Sequence, residues 1–167
     1  ASLRIAVDYE TTMKKPDSKE AEIYCCSISD GKKTIAFPWT KTTSTEMQTI
    51  LKCPDIPKIA SNAKFEERWT RRMFGHGVKN WLWDTMIAAH VLDNRTGITG
   101  IEFQAFVKLG VPPWDKKVAG YLDSNGSNTP NRIREALLED VLLYNGLDSL
   151  YEFWVAQRQM EEMGVKT

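Results

Sequence analysis

The sequence predicts an α/β domain with a mixed five-stranded sheet flanked by helices. Three observations carry this. Strand-like runs come first, strands and helical patterns then alternate, and the last part of the chain is helical, an order that layers helices on a sheet. Two of the early strands are separated by Asp30-Gly31, a short hairpin signal that makes this pair antiparallel. The 167 residues, 42% hydrophobic and 26% charged, suit one compact domain spanning 1–167 around one core.

Each element has its own signal. Leu3-Arg4-Ile5-Ala6-Val7 is a buried strand running into Asp8-Tyr9-Glu10, and a polar loop follows over residues 11–19. Residues 21–29 and 33–38 are the two hairpin strands. Thr43-Ser44-Thr45-Glu46 has capping-box spacing, and Met47, Ile50 and Leu51 give the helix it opens an apolar stripe. Residues 56–60 form a short fourth strand, and a helix over 63–74 stops at Gly75-His76-Gly77. Trp81-Leu82-Trp83 is the fifth strand, after which Asp84-Thr85 caps a helix through Met86, Ile87, Ala88, Val91 and Leu92. Thr99-Gly100-Ile101-Glu102 is a second capping box, whose helix Gly110 closes. Residues 123–130 are the most loop-like segment. Thr129-Pro130 suits the N-cap and first position of a final long helical region ending near Met163.

Lysine plus arginine (22) balances aspartate plus glutamate (22). That argues against a protein that coats duplex nucleic acid by long-range attraction, and leaves room for an enzyme gripping a few nucleotides locally. No apolar run approaches the roughly 18–20 residues of a membrane span, and the expectation is a cytoplasmic protein with no membrane partner. The Ala-Ser-Leu-Arg start reads as a processed or trimmed end. Cys25 and Cys26, adjacent on one strand, point to opposite faces and are poor disulfide partners. With Cys53 they read as free or buried thiols.

Three acidic segments stand out. Asp8 and Glu10 lie at i and i+2 on a strand, so both carboxylates project to one side and repel. A bound cation relieves that conflict, and magnesium favours oxygen ligands of this kind. A solvated strand end with Glu10 paired to a lysine is the plainer reading of this segment alone. Asn62-Ala63-Lys64-Phe65-Glu66-Glu67-Arg68 opens a helix with Asn62 at the N-cap and Glu66 one turn in, where the helix dipole favours an acid. Tyr144 and Asp148 share one face of the final helix if it runs unbroken through Gly146, and a core phenol bonded to a neighbour is the ordinary meaning of such a tyrosine.

In order, these segments read Asp-x-Glu, Asn-x-x-Phe-acid and Tyr-x-x-x-Asp. The set resembles the DEDD-type 3′–5′ exonucleases, also called DnaQ-like, and within them the tyrosine subclass represented by proofreading domains of family A DNA polymerases, particularly phage ones. Asp84-Thr85-Met86-Ile87-Ala88-Ala89-His90 and Leu142-Leu143-Tyr144-Asn145-Gly146-Leu147-Asp148 add to the likeness, which covers roughly residues 3–155. The resemblance implies a ribonuclease-H-like fold and a two-metal hydrolysis that releases nucleoside 5′-monophosphates from the 3′ end of single-stranded DNA. It implies two divalent cations, Mg2+ with Mn2+ able to substitute. Asp8 would bridge them, Glu10 and Asp148 would complete one site, and Glu66 would hold the other. Tyr144 would orient the attacking water. A covalently linked or associated DNA polymerase domain is the implied partner, and a phage source would place the protein in host-cell cytoplasm.

One departure matters: the family usually has aspartate where Glu66 stands. Neighbouring Glu67 is the alternative, but the spacing from Asn62 and Phe65 favours Glu66. Asn62, Lys64, Phe65 and Arg68 are the expected nucleic-acid contacts, with Arg71 and Arg72 on the same helix and core packing as the other role for Phe65. His76 and His90 are read as structural or solvent-facing, Asp84 as a helix cap, and Lys116-Lys117 as a solvated loop. Two rival functions remain: an exoribonuclease similar to the ribonuclease D group, and a catalytically silent nuclease-like module that binds nucleic acid or a polymerase.

Overall fold

The computed structural model describes residues 3–126 and 128–165. Ala1, Ser2, Lys166, Thr167 and Ser127 of the predicted loop 123–130 lie outside the described residues. The strands are β1 (Ile5–Thr11), β2 (Ile23–Ser29), β3 (Thr34–Pro38), β4 (Lys58–Ala60) and β5 (Trp81–Asp84). They form one sheet in the order β3-β2-β1-β4-β5. β1 and β3 both pair antiparallel with β2, whereas β4 runs parallel to β1 and β5 to β4, so the sheet is mixed as expected. At the hairpin, Asp30 Oδ1 accepts from the backbone N–H groups of Lys32 (2.9 Å) and Lys33 (2.7 Å), and Gly31 adopts φ +82°.

Strand periodicity divides the core. Ile5, Val7 and Tyr9 of β1 point to one face, where they meet Cys26, Met47, Leu51 and Trp69. Met47 and Leu51 belong to α1 (Lys41–Lys52), and Trp69 to α2 (Ala63–Phe74). Ala6 points to the opposite face, with Ile59, against Phe153, Ala156 and Met160 of α6 (Leu138–Glu162). Cys25 packs on this second face with Val118, Ile133 and Val141, so Cys25 and Cys26 do face opposite ways, and all three cysteines are free. Alternation therefore sends Asp8 and Glu10 toward α6, the one long helix across β1, β2 and β3. β1 extends to Thr11, so both acids lie inside the strand rather than at its frayed end.

Several local expectations are corrected. The first capping box is Thr40 with Thr43, one turn earlier than Thr43 with Glu46: Thr40 Oγ1 accepts from Thr43 N, and Thr43 Oγ1 accepts from Thr40 N. The helix begins where the strand releases the chain at Pro38, whose carbonyl Thr43 also bonds. The fourth strand is three residues long rather than five. α2 has its predicted bounds, but Asn62 has no side-chain cap bond and sits at φ 67°, ψ 55°. Helix α3 (Thr85–Leu92) is capped by Asp84 as expected. α4 (Ile101–Leu109) lacks its predicted capping box. Gly100 holds the N-cap without a side-chain bond, because Glu102 turns instead toward the backbone N–H groups of Trp114 and Asp115. The final long helix starts at Leu138, not at Thr129-Pro130. Between them lie a 3-10 turn over Ile133–Glu135 and Asn131, which anchors this segment to the end of β1 through Thr11 O and to Thr12 O just beyond it. A short α5 (Ala119–Leu122) precedes that loop. Among the described residues, no helix is long and apolar enough to cross a membrane.

Candidate metal and catalytic site

The sheet and α6 bring distant acids together. Asp8, Glu10 and Asp148 each offer a carboxylate oxygen, and these atoms lie within 4.8 Å of one another. Asp8 and Glu10 lie close enough for each to shift the other's titration. Burial pushes the Asp8 carboxyl up to about 7, against the hydrogen bonds from Asn145 and Glu10 that pull it down. Burial raises Glu10 well above the ordinary carboxylate range, and the charges of Asp8 and Asp148 add to that. Asp148 is raised by burial and by Asp8, while hydrogen bonds from Trp114 and Tyr144 oppose the rise. Like-charged acids this close hold protons or a cation.

Glu66 stands outside the triad but faces it. It is buried, its Oε2 has no hydrogen-bond partner, and burial and the Asp8 charge raise its carboxyl well above the ordinary range. Glu67 is engaged elsewhere: Oε1 accepts from Arg71 Nε (2.6 Å), and Oε2 from Val78 N (2.9 Å) and Trp81 Nε1 (3.1 Å). Of the two candidates at this position, Glu66 is the one that feels the Asp8 charge. An orphaned carboxylate oxygen beside a triad of carboxylates is a donor set that fits hard divalent cations.

Tyr144 lies one turn before Asp148 on α6, which runs unbroken through Gly146, and its phenol bonds the Asp148 carboxylate. Burial and the neighbouring acids push the phenol above its usual range, so Tyr144 keeps its proton and donates it to Asp148. Two supporting residues carried no assigned role in the sequence. Asn145 Nδ2 donates to Asp8 Oδ2 at 2.6 Å, and Trp114 Nε1 donates to Asp148 Oδ1 at 2.9 Å. Asn145 stands three residues before Asp148, a spacing that shares its face. Trp114 comes from the segment after α4 and has no local signal.

Asp84 caps two helices at once. Its carboxylate accepts from Met86 N (3.0 Å) and Ile87 N (3.3 Å) of α3, and from Asn62 N (3.0 Å) and Ala63 N (2.8 Å) at the start of α2. This takes over the capping expected of Asn62 and leaves the Asn62 side chain free to line a groove of about 390 Å3 with Lys14, Lys15, Lys64, Phe65 and Arg68. Arg68 pairs with Asp17 at 2.9 Å, and Phe65 packs at 6.2 Å against the buried Trp69. Arg71 donates to Glu67, and Arg72 donates to the carbonyl of Pro16, a residue of the groove wall. A larger apolar concavity of about 640 Å3 runs along β5 and α3, lined by residues such as Trp81, Leu82, Ile87 and Val91, away from the acids. His76 stacks on Phe74 and bonds Gln48, and His90 is exposed on α3, so neither joins the site. Lys117 pairs with Asp140.

Several solved structures share this fold. The chain resembles Brucella melitensis NrnC in a structure bound to pGG, at 19% identity and a TM-score of 0.71, covering 98% of this chain and 76% of that one. Escherichia coli RNase D, an exoribonuclease, aligns at 18% identity and TM-score 0.68 over 98% of this chain and 40% of its own. The polymerase Pol1 of M. smegmatis, solved with a DNA primer-template and dNTP, aligns at 14% identity and TM-score 0.69, over 98% of this chain and 24% of that one. At these identities the likeness is one of fold. No individual curated protein matches the sequence. The 3′–5′ exonuclease model of the DNA polymerase A type, however, matches residues 1–163, and the chain belongs to that 3′–5′ exonuclease family.

Proposed function

We propose that this exonuclease domain removes nucleoside 5′-monophosphates from the 3′ end of single-stranded DNA as a proofreading activity, using two divalent cations. The observation that carries the reading is the Asp8–Glu10–Asp148 triad within 4.8 Å, with the orphaned Glu66 carboxylate facing Asp8. Asp8 would be shared between two cations, Glu10 and Asp148 would complete one site, and Glu66 would serve the other. When bound, Mg2+ or Mn2+ would lower the pKa of a water and stabilise the departing 3′ oxygen.

The chain's own groups supply position. Tyr144 lies one turn from Asp148 and bonds its carboxylate, which leaves phenol lone pairs to orient a water by accepting from it. Asn145 and Trp114 fix the Asp8 and Asp148 carboxylates by hydrogen bonds. Lys14, Lys15 and Lys64 line the groove beside Asn62 and offer cations to a single strand's phosphates, while the half-buried Phe65 offers a ring edge for a base.

The DNA reading is supported by the polymerase type of the matching family over nearly the whole chain. It also implies a linked or associated polymerase as partner. Single-turnover digestion of matched 5′-labelled DNA and RNA oligonucleotides tests it. Shortening from the 3′ end at least tenfold faster on DNA is expected. Equal or faster shortening of RNA would assign the domain to the exoribonucleases instead, and binding without shortening would make it a silent module.

A further inference from the structure

Glu152 lies one helical turn beyond Asp148 on α6, so the two side chains share the face that covers the sheet. Glu152 is 1% exposed, and its Oε2 has no hydrogen-bond partner. The backbone N–H of Ser61 is directed at its carboxylate, and the charges acting on it are those of Asp8, Glu66 and Asp148. Ser61 ends the β4 connection and directly precedes Asn62 and α2, the helix that carries Glu66. Glu66 and Glu152 thus come from two elements that meet at one junction, both feel the Asp8 charge, and each has a buried carboxylate oxygen with no hydrogen-bond partner among the described residues. A buried acid is tolerated when it is paired or meets a cation, and three facing carboxylates worsen rather than relieve its position.

Resting on the two-cation reading, we infer that Glu152 is a fifth metal-directed carboxylate, acting with Glu66 on the Asp8 side of the site. The second acidic segment, with glutamate in place of the family's usual aspartate, then works with a partner glutamate from α6. The bond to Ser61 gives Glu152 an ordinary structural function as well, and the two roles separate by substitution. Glu152→Gln keeps an acceptor for the Ser61 N–H and the side-chain volume, and mimics a neutral acid, but removes the charge.

Equilibrium Mn2+ binding, followed by calorimetry and by electron paramagnetic resonance of the free ion, tests this without recourse to activity. The wild-type chain should bind two Mn2+, and Glu152→Gln should weaken one of them at least tenfold while leaving the other within twofold. Glu152→Asp, which retains the charge on a shorter stem, should hold the weakened ion more tightly than Glu152→Gln does. Two ions bound by Glu152→Gln with wild-type affinities would overturn the inference and leave the two-cation reading intact. Equal losses in Glu152→Asp and Glu152→Gln would also overturn it, by showing that packing rather than charge is at stake. A wild-type chain that bound one ion or none would bring down the two-cation reading and this inference with it.

Discussion

Asn145 Nδ2 donates a 2.6 Å hydrogen bond to Asp8 Oδ2, tying the helix that carries Asp148 to the strand that carries Asp8 and Glu10. The same Asn145 accepts from Ser27 Oγ through its carbonyl at 2.6 Å, so β2, β1 and α6 are pinned at one point. Outer groups that orient metal-directed carboxylates typically contribute 10–100-fold to affinity or rate. Asn145→Ala should therefore lower kcat/KM about 10–100-fold and raise the Mn2+ concentration needed for half-maximal rate. The check is rate against metal concentration, with circular dichroism to confirm that the fold persists.

The buried acids set a pH dependence of stability. The folded Asp8 carboxyl is raised to about 7, above its unfolded value of 3.8, and Glu10, Glu66, Asp148 and Glu152 are raised in the same direction. In the window between the unfolded and folded values the native state holds more protons than the unfolded chain. The contribution of Asp8 is then full below about pH 4 and is lost as pH rises through about 7, and the other four acids act in the same direction. In chelator, Tm should fall as pH rises from about 5 to about 8. Added Mg2+ or Mn2+ should restore more of it at pH 8 than at pH 5, because a cation favours the ionised acids. A Tm in chelator that rose across this range would contradict the assignment. Scanning calorimetry across the range provides the measurement.

Asp84→Ala removes the cap of α3 and the only described side-chain acceptor for Asn62 N and Ala63 N at α2. A single lost cap costs about 0.5–2 kcal/mol, so the double loss should cost about 1–4 kcal/mol in urea unfolding. Asp84→Asn, which keeps one acceptor oxygen, should recover part of it.

Two glycines separate backbone freedom from helix propensity. A Cβ on Gly31 would lie 2.4 Å from the Phe153 ring, at a residue already at φ +82°, so Gly31→Ala should destabilise by more than about 1 kcal/mol. At Gly146 an added Cβ would meet Ala36 and Thr34 at 3.5 Å, an ordinary contact in mid-helix. Gly146→Ala should stabilise by up to about 1 kcal/mol. Opposite shifts of the urea midpoint check the pair.

How much of this was legible in the sequence depends on how far each feature reaches. Asp8 and Glu10 share a face because a strand alternates, and Tyr144 and Asp148 because a helix repeats near four, so both placements follow from local geometry. Asp84 and Asn62 show the limit. Both are good capping residues, but only the approach of β5 to β4 decides that Asp84 caps both helices and Asn62 none. The start of α6 was misplaced because Thr129-Pro130 looks like a helix start, while the chain between them is held by Asn131 against β1, a contact 120 residues away in sequence. The roles of Asn145, Trp114 and Glu152 depend on how α6 and the segment after α4 settle over the sheet. Glu152 in particular looks like an ordinary surface glutamate until its helix is seen to bury it.

The central claim is that the carboxylates around Asp8 run a metal-dependent 3′–5′ exonuclease. Digestion of a 5′-labelled single-stranded DNA oligonucleotide with Mg2+, beside chelator and Asp8→Ala controls, tests it most directly. The account predicts a ladder that shortens from the 3′ end with Mg2+ and is abolished in both controls. A ladder that survives Asp8→Ala, or no shortening of DNA or RNA with Mg2+ or Mn2+, would contradict it.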